Sequence, residues 1–351
     1  MLNDADAAVL AEIRSRTEDA LRAAIGDVHD VAIVDAPNQV NVGDSLIWEG
    51  ELAYLKRLGY RIRYVSDLTG YRGEDLRRAM PRGVVLIHGG GNFGDLWEGH
   101  QKHREAVVAE LVDYPIVQLP QSVYFAHEDR AAVANKILGA HPDLRVLLRD
   151  HESMERARTQ LPDVTRAFCP DMALGFDPIW EGAAAPPTDE ILMIARTDKE
   201  SSSGLGSLEK TWLAPFAVHV TDWGSHAKMP RAWRVARLTA KVQQKLVSAR
   251  RKLGVPVPSL PQAVVQRVII YINATNAKTA VALYRRARVV VVDRLHAHVL
   301  AVLLGIDHVL LDNSYRKLGA VYDDYTGQFG TASYCTDVNE ARIRVRALVE
   351  A

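Results

Sequence analysis

The sequence predicts an α/β protein made of two doubly wound domains in tandem. Three observations predict it. Strand-like apolar runs alternate with helical runs along both halves of the chain, the pattern of parallel sheets covered by helices on both faces. A break in composition, GFDPIWEGAAAPPTDE at 175–190, puts small residues and prolines where periodic apolar residues had been, as a linker does. The length, 351 residues, suits two domains of ordinary size. The expected boundaries are 1–178, 188–335 and a C-terminal helix at 336–351.

The elements follow in order. The amphipathic MLNDADAAVLAEIRSRTEDALRAAI carries acids and reads as a helix, not a secretory signal. VAIVDA (31–36) is a buried-strand run, and DSLIWEGELAYLKRLG behind it is helical. RIRYVSD (61–67) is the next strand. GVVLIHGGGNFG (83–94) is a strand ending in a glycine loop, and HREAVVAELVDY is helical. PIVQLPQS (115–122), the helix DRAAVANKILG and LRVLLRD (144–150) complete the first half. In the second half, ILMIARTD (191–198), AVHVTDW (217–223) and ARVVVVD (287–293) are strands, and HVLLD (308–312) closes the series.

Composition narrows the function. Lys plus Arg and Asp plus Glu both number 43, so no basic excess marks a nucleic-acid binder. The two cysteines, Cys169 and Cys335, lie far apart and suggest neither a disulfide framework nor a zinc site; no metal is expected, and a reducing cytoplasm fits. No apolar run reaches the roughly 20 residues of a membrane-spanning helix. One stretch breaks the even charge. KMPRAWRVARLTAKVQQKLVSARRK (228–252) holds nine Lys and Arg and no acid. Trp233, Val235, Leu238, Val242 and Leu246 recur there at helical spacing. The stretch reads either as a surface helix touching anionic lipid headgroups or as a solvated helix packed on its own domain.

Parallel sheets place ligands at the carboxyl ends of their strands, so the residues after each strand are the site candidates. After the first come Asn41, Gly43, Asp44 and Ser45, at a helix start that favours an oxygen-rich or anionic ligand; ordinary capping by Asp44 or Ser45 is the other reading. After VVLIH come Gly89, Gly90, Gly91 and Asn92, which permit close backbone approach to a sugar or nucleotide or make a plain turn. GGGNFG lacks the spacing and position of a dinucleotide fingerprint. After LRVLL, Arg149 is a candidate anion ligand, Asp150 or Ser153 a helix cap, and Asp171 a further lining residue. In the second half Arg196 and Lys199 follow a strand and lead into the polar TDKESSSGLG. Asp293, Arg294 and His296 follow VVVV and precede a helix. A guanidinium, an imidazolium and a helix N-terminus together make an anion trap; the alternative is an Arg294 ion pair with a neighbouring carboxylate and a capping His296.

In this order, NVGDSLIWEG, LIHGGGNFGDLW, LLRDHESM, PDMALG, ARTDKE, VVVDRLHAHVLAVLLG and DNSYRKLGAVYDDY resemble the polysaccharide pyruvyl transferase family over roughly residues 30–330. The resemblance implies two Rossmann-like domains facing across a cleft, as in GT-B glycosyltransferases. It implies transfer of the pyruvyl group of phosphoenolpyruvate onto two hydroxyls of a sugar, in a polysaccharide or a lipid-linked precursor. A cyclic ketal forms, phosphate leaves, and no cofactor is needed. The family's Arg-x-His segment matches Arg294, Leu295 and His296. Its first-domain arginine resembles Arg149, and its Asn/Gly/Asp and glycine loops match Asn41, Gly43, Asp44 and Gly89–Asn92. By this reading His296 is the general acid, and Arg294 and Arg149 hold the anion. Asp44 or Asp171 takes the hydroxyl proton. The competing expectations are a GT-B glycosyltransferase using a nucleotide sugar and a non-catalytic partner in polysaccharide assembly.

Overall fold

In the computed structural model the residues described are 2–178, 190–196, 203–208, 210–222, 229–253, 260–312 and 316–350. Most of the 175–190 linker and Lys199 therefore lie outside them.

The first sheet holds β1 (Asp30–Val34), β2 (Arg61–Val65), β3 (Val84–Ile87), β4 (Gly90–Gly94), β5 (Ile116–Tyr124), β6 (Leu144–Leu148) and β7 (Arg166–Phe168). Its order is β2-β1-β3-β5-β6-β7, with β4 alongside the end of β5, and every pairing is parallel. The second sheet holds β8 (Glu190–Ile194), β9 (Ala217–Thr221), β10 (Ala287–Val292), β11 (His308–Leu311) and β12 (Ala332–Cys335), ordered β12-β11-β10-β8-β9 and again parallel. The central strands carry continuous apolar runs, VAIV, VVLI and VVVV, because helices cover both faces. The two sheets form two Rossmann-like domains, as expected. Three details differ. The glycine loop is itself strand β4, the first sheet ends with the short β7 beyond LRVLLRD, and the second series ends at β12, not at HVLLD.

The helices are α1 (Asp4–Ile25), α2 (Val42–Arg57), α3 (Gly73–Ala79), α4 (Glu98–Glu110), α5 (Glu128–Gly139), α6 (His151–Gln160), α7 (Arg231–Leu253), α8 (Gln262–Tyr284), α9 (Leu295–Leu304), α10 (Lys317–Asp324) and α11 (Val338–Glu350). α9 is apolar nearly all round and lies in the core, ended by Gly305 at φ 64°. α11 packs on the second sheet.

Two elements cross between the halves. Near the start of α1, Asp6 accepts the Gly330 amide at 2.8 Å, and Arg14 donates to the carbonyls of Leu174 and Phe176. α8 lies against the first domain. Asn273 donates to the Pro37 carbonyl at 2.7 Å and accepts from Ser45, and Gln262 donates to the Val65 carbonyl at 2.7 Å.

α7 packs on α8 through Trp233 and a face that otherwise lies apart from the apolar stripe read in the sequence. Trp233, Ala236, Ala240, Gln243 and Val247 turn inward, and Trp233 donates to Asn276 at 3.0 Å. Val235, Leu238 and Val242 are exposed. Burying them would also have buried Arg231 and Lys245 on the same side of the helix, without compensation. The five inward residues themselves carry no charge.

Candidate active site

Each sheet reverses its strand order once, between β1 and β3 in the first and between β8 and β10 in the second. Ligands bind outside the carboxyl ends of strands at such points. The two points face one another across a cleft of about 180 Å³. Asn41, Gly43, Asp44, Gly91, Asn92 and Arg149 line it from the first domain, and Arg196, Arg294, Leu295, His296 and Lys317 from the second.

The centre is a buried carboxylate shared by two cationic side chains. Arg149, at the end of β6, donates from Nη1 to Asp171 Oδ2 at 2.7 Å. His296 Nε2 lies 3.2 Å from the same oxygen. A carboxylate only accepts, so Nε2 carries the proton of this bond. Asp171 is 1 % exposed, and burial alone would raise its pKa. The charges of His296 and Arg149, with the Ala173 amide, overcome that and hold it well below the usual carboxylate range. Arg149 also donates from Nε to Ser122 at 2.9 Å, and Ser122 donates to Asp150 at 2.6 Å. Asp150 is the N-cap of α6, bonding the Ser153 amide. Tyr325 of the second domain receives the Asp171 amide and donates to the Arg149 carbonyl at 3.2 Å.

The other cations are held from the second domain. Arg294 makes a bidentate pair with Asp222, Nε to Oδ1 at 2.6 Å and Nη2 to Oδ2 at 2.8 Å. Arg294 is thus paired with a carboxylate and also lines the cleft. It is also the N-cap of α9, where a guanidinium offers no acceptor; no side chain caps the helix start that faces the cleft. His296 does not cap. Asp293 sits beneath, its Oδ1 taking the Arg196 amide at 2.8 Å and its Oδ2 the Ser203 hydroxyl at 2.7 Å. Burial pushes its pKa up against these bonds. Lys317 reaches across to the Gly91 carbonyl at 3.1 Å.

The two first-domain loops contribute space more than amides. Asn41 caps α2, its Oδ1 accepting the Gly43 amide at 3.0 Å, so that amide is already used; Asp44 and Ser45 are not the cap. A Cβ at Gly43 would stand 2.9 Å from His296 Nδ1, so the bare backbone seats the imidazole. Asp44 Oδ2 accepts from Gln39 and Asn41 at 2.9 and 2.8 Å. Of Gly89, Gly90 and Gly91, the last lines the cleft, where a Cβ would meet Lys317 Nζ and Arg149 Nη2. Gly89 and Gly90 are buried below it, and the Gly89 amide donates to buried Glu51 at 2.9 Å. Asn92 Oδ1 is held by Arg104 and Gln121 at 2.8 and 3.0 Å. Arg104 is itself buried, which lowers its pKa to about 10 despite the nearby Asp35.

A second hollow of about 140 Å³ continues from the cleft and shares Gln39, Asp44, Asn92 and His100 with it. Asp35, Asp67, Thr69 and Gln244 line its far side. His100 Nδ1 rests on Asp35, 2.9 Å from Oδ2. Burial would raise the pKa of Asp35, and His100 outweighs it, so the carboxyl lies below its ordinary value.

Sequence reasoning missed Gln39, Trp97, His100, Asp222 and Lys317, all in or beside the site. Lys317 and His100 lie beyond the loops that follow β11 and β4, further along the chain than the residues next to a strand end that the rule picks out. Asp222 does follow a strand, β9, and could have been found by that rule.

The family model for polysaccharide pyruvyl transferase matches residues 41–315 of the chain. The chain belongs to the polysaccharide pyruvyl transferase family. It is 28% identical over 288 residues to "Putative pyruvyl transferase EpsO" of Bacillus subtilis (strain 168), covering 82% of this chain and 83% of that one. It is 28% identical over 295 residues to "Pyruvyl transferase 1" of Schizosaccharomyces pombe (strain 972 / ATCC 24843), covering 82% and 67%. A crystal structure of an uncharacterized protein from Klebsiella pneumoniae subsp. pneumoniae NTUH-K2044 shares the fold, with TM-score 0.53 and 16% identity over 95% of this chain and 100% of that one. The polysaccharide pyruvyl transferase match spans both halves of the cleft, from Asn41 to beyond His296. Membership makes the chain a transferase of polysaccharide biosynthesis with a saccharide acceptor. Among the described residues no helix is long and apolar enough to cross a membrane.

Proposed function

We propose that the protein moves the pyruvyl group of phosphoenolpyruvate onto two hydroxyls of one sugar in a polysaccharide or lipid-linked precursor, at the inner face of the cell membrane. One observation carries this reading. Arg149, Arg196, Arg294 and Lys317 converge with His296 on a cleft of about 180 Å³. A small molecule bearing both a phosphate and a carboxylate meets that charge and size. Trp97 at the rim and the polar hollow beyond Asp44 suit a sugar ring.

The chemistry follows from the residues. The ionised Asp171 fixes the Nε2–H of His296, leaving Nδ1 as the proton donor to the methylene carbon. The first sugar hydroxyl bonds to the adjacent carbon as that positive charge develops. The second hydroxyl then forms its bond to the same carbon while the carbon–oxygen bond to phosphate breaks. One hydroxyl proton is thus balanced by the new methyl group and the other leaves with phosphate. No electron is gained or lost, so phosphoenolpyruvate serves as donor without a redox cofactor. Asp44, at the junction of cleft and hollow, takes the hydroxyl proton. The arginines and Lys317 neutralise the leaving phosphate. A nucleotide-sugar donor fits less well, because the described second-domain residues lining the cleft include no acid to clasp a ribose.

The test is mass spectrometry of products from a panel of saccharide acceptors with phosphoenolpyruvate. The expected product is acceptor plus pyruvate less one water, with equimolar phosphate. Release of a nucleoside diphosphate from a nucleotide sugar, with no ketal, would overturn the reading.

A further inference from the structure

We propose that the outward face of α7 is a docking surface for an anionic lipid bilayer. The proposal stands on the helix alone and does not depend on the reaction assigned to the cleft.

α7 has three faces. The inward one is held by α8, through Trp233, Ala236, Ala240 and Val247. On the far side Val235, Leu238, Val242 and Leu253 follow one another at intervals that keep them in one stripe, at 63, 63, 42 and 66 % exposure. Four large apolar side chains that open to water, in line on one helix, are more than scattered surface residues. Directly beside that stripe run Arg234, Lys241, Lys245 and Lys252, all exposed, with Arg231 at its head. Among the described residues none of these five forms an ion pair with a carboxylate. Arg250, which does reach Glu74 at 3.4 Å, lies off this face.

Charge selects the occupant. No acid occurs in α7, so two copies of this face would bring like charges together around any shared apolar contact. An apolar stripe flanked by lysines and arginines instead matches the boundary between acyl chains and anionic headgroups. Side chains such as Val and Leu enter the acyl region there, and the long cations reach the phosphates. The basic side also opens to the active site. Lys241, Lys245 and Lys252 share a groove with Thr69 and Gln244, and these two also line the hollow that leads to the cleft. A bilayer on α7 therefore lies beside the hollow that adjoins the cleft.

The experiment is sedimentation of the full chain with vesicles of phosphatidylcholine plus phosphatidylglycerol, against phosphatidylcholine alone. Binding is expected only to the anionic vesicles and is expected to be lost at about 0.5 M salt, where screening reaches a few Å. The triple variant Lys241→Gln, Lys245→Gln, Lys252→Gln is expected to bind roughly a hundredfold more weakly. Val235→Ser, Leu238→Ser, Val242→Ser is expected to lose at least about tenfold, with melting temperature unchanged because these positions are exposed. The salt series on the unaltered protein needs no variant to fold. No sedimentation at low salt, or equal binding to neutral vesicles, overturns the proposal. So does full competition by inorganic pyrophosphate, which would make the lysines a soluble-anion site. So does light scattering showing a dimer that the serine variant converts to monomer, with vesicle binding unaltered.

Discussion

Asp171 and His296 meet across the domain boundary, 3.2 Å apart, one carboxylate oxygen of the first domain against one imidazole nitrogen of the second. Arg149 shares that oxygen at 2.7 Å. A buried charge with two such partners is costly to unbalance. Asp171→Asn keeps the shape and removes the charge. We expect kcat for pyruvyl transfer to fall by about 10²-fold or more, since the imidazole loses the group that fixes its tautomer and orientation. Wild-type-like kcat in a steady-state phosphate-release assay would contradict the orienting role.

Gly43→Ala separates stability from activity. Position 43 lies in the first turn of α2 with ordinary helical backbone, where alanine is favoured over glycine by up to about 1 kcal/mol. Its Cβ would crowd His296 Nδ1 at 2.9 Å. The expected result is an unchanged or raised melting temperature with a large loss of turnover. A variant both stable and fully active would show that the imidazole does not need this seat.

Asp222→Asn tests the clamp on Arg294. The guanidinium keeps its charge but loses the bidentate partner that aims it. KM for phosphoenolpyruvate is expected to rise by about tenfold, with a smaller change in kcat. The signature to look for in initial-rate data is this KM-weighted split; a pure kcat effect would place Arg294 elsewhere in the reaction.

Arg149→Met probes fold and site together. Removing the guanidinium leaves Asp171 buried with less compensation, at a cost of about 3–5 kcal/mol. The double variant Arg149→Met, Asp171→Leu is expected to recover most of that stability and none of the activity. Denaturant titration reads the first outcome and phosphate release the second.

Stability is also expected to fall on the acid side of neutrality. His298, on α9, and His308, on β11, are joined at 2.7 Å, and His298 also bonds Thr326. Burial lowers both pKa values, that of His308 to about 4. Their folded pKa values lie below the unfolded value near 6.5, so the unfolded chain binds more protons as pH drops. Their contribution is present above about pH 6.5 and is lost as pH falls toward 4, on the order of 3 kcal/mol for His308. Melting temperatures from pH 7.5 to 4.5 should show this slope, and His308→Gln should flatten it.

The strand ends were the legible part of the site. VVVV and LRVLL announce buried strands, and the polar residues behind them, Arg294, His296 and Arg149, had to face the crevice. What lay hidden was set by tertiary packing. GGGNFG reads as a turn, yet β5 is long enough to pair with it as β4. On α7 both faces carry apolar residues at helical spacing, and the sequence left open which of them packs. Alanines pack against α8 because they carry no charge to bury, a preference that hydrophobicity alone does not express. Asp222 directly follows β9, within reach of the same strand-end rule; only its pairing with Arg294 at the end of β10 is set by the fold.

The two braces, α1 and the α7–α8 pair, also set how this architecture can be recombined. α8 is encoded with the second sheet but bonds Pro37, Ser45 and Val65 of the first, while α1 begins the chain and accepts from Gly330 near its end. A chimera that joined the front of one family member to the back of another at the interdomain linker would mismatch both contacts. An exchange of N-terminal halves between relatives must carry α7 and α8 along with that lobe, so the natural module boundary is spatial and does not coincide with any single cut in the chain.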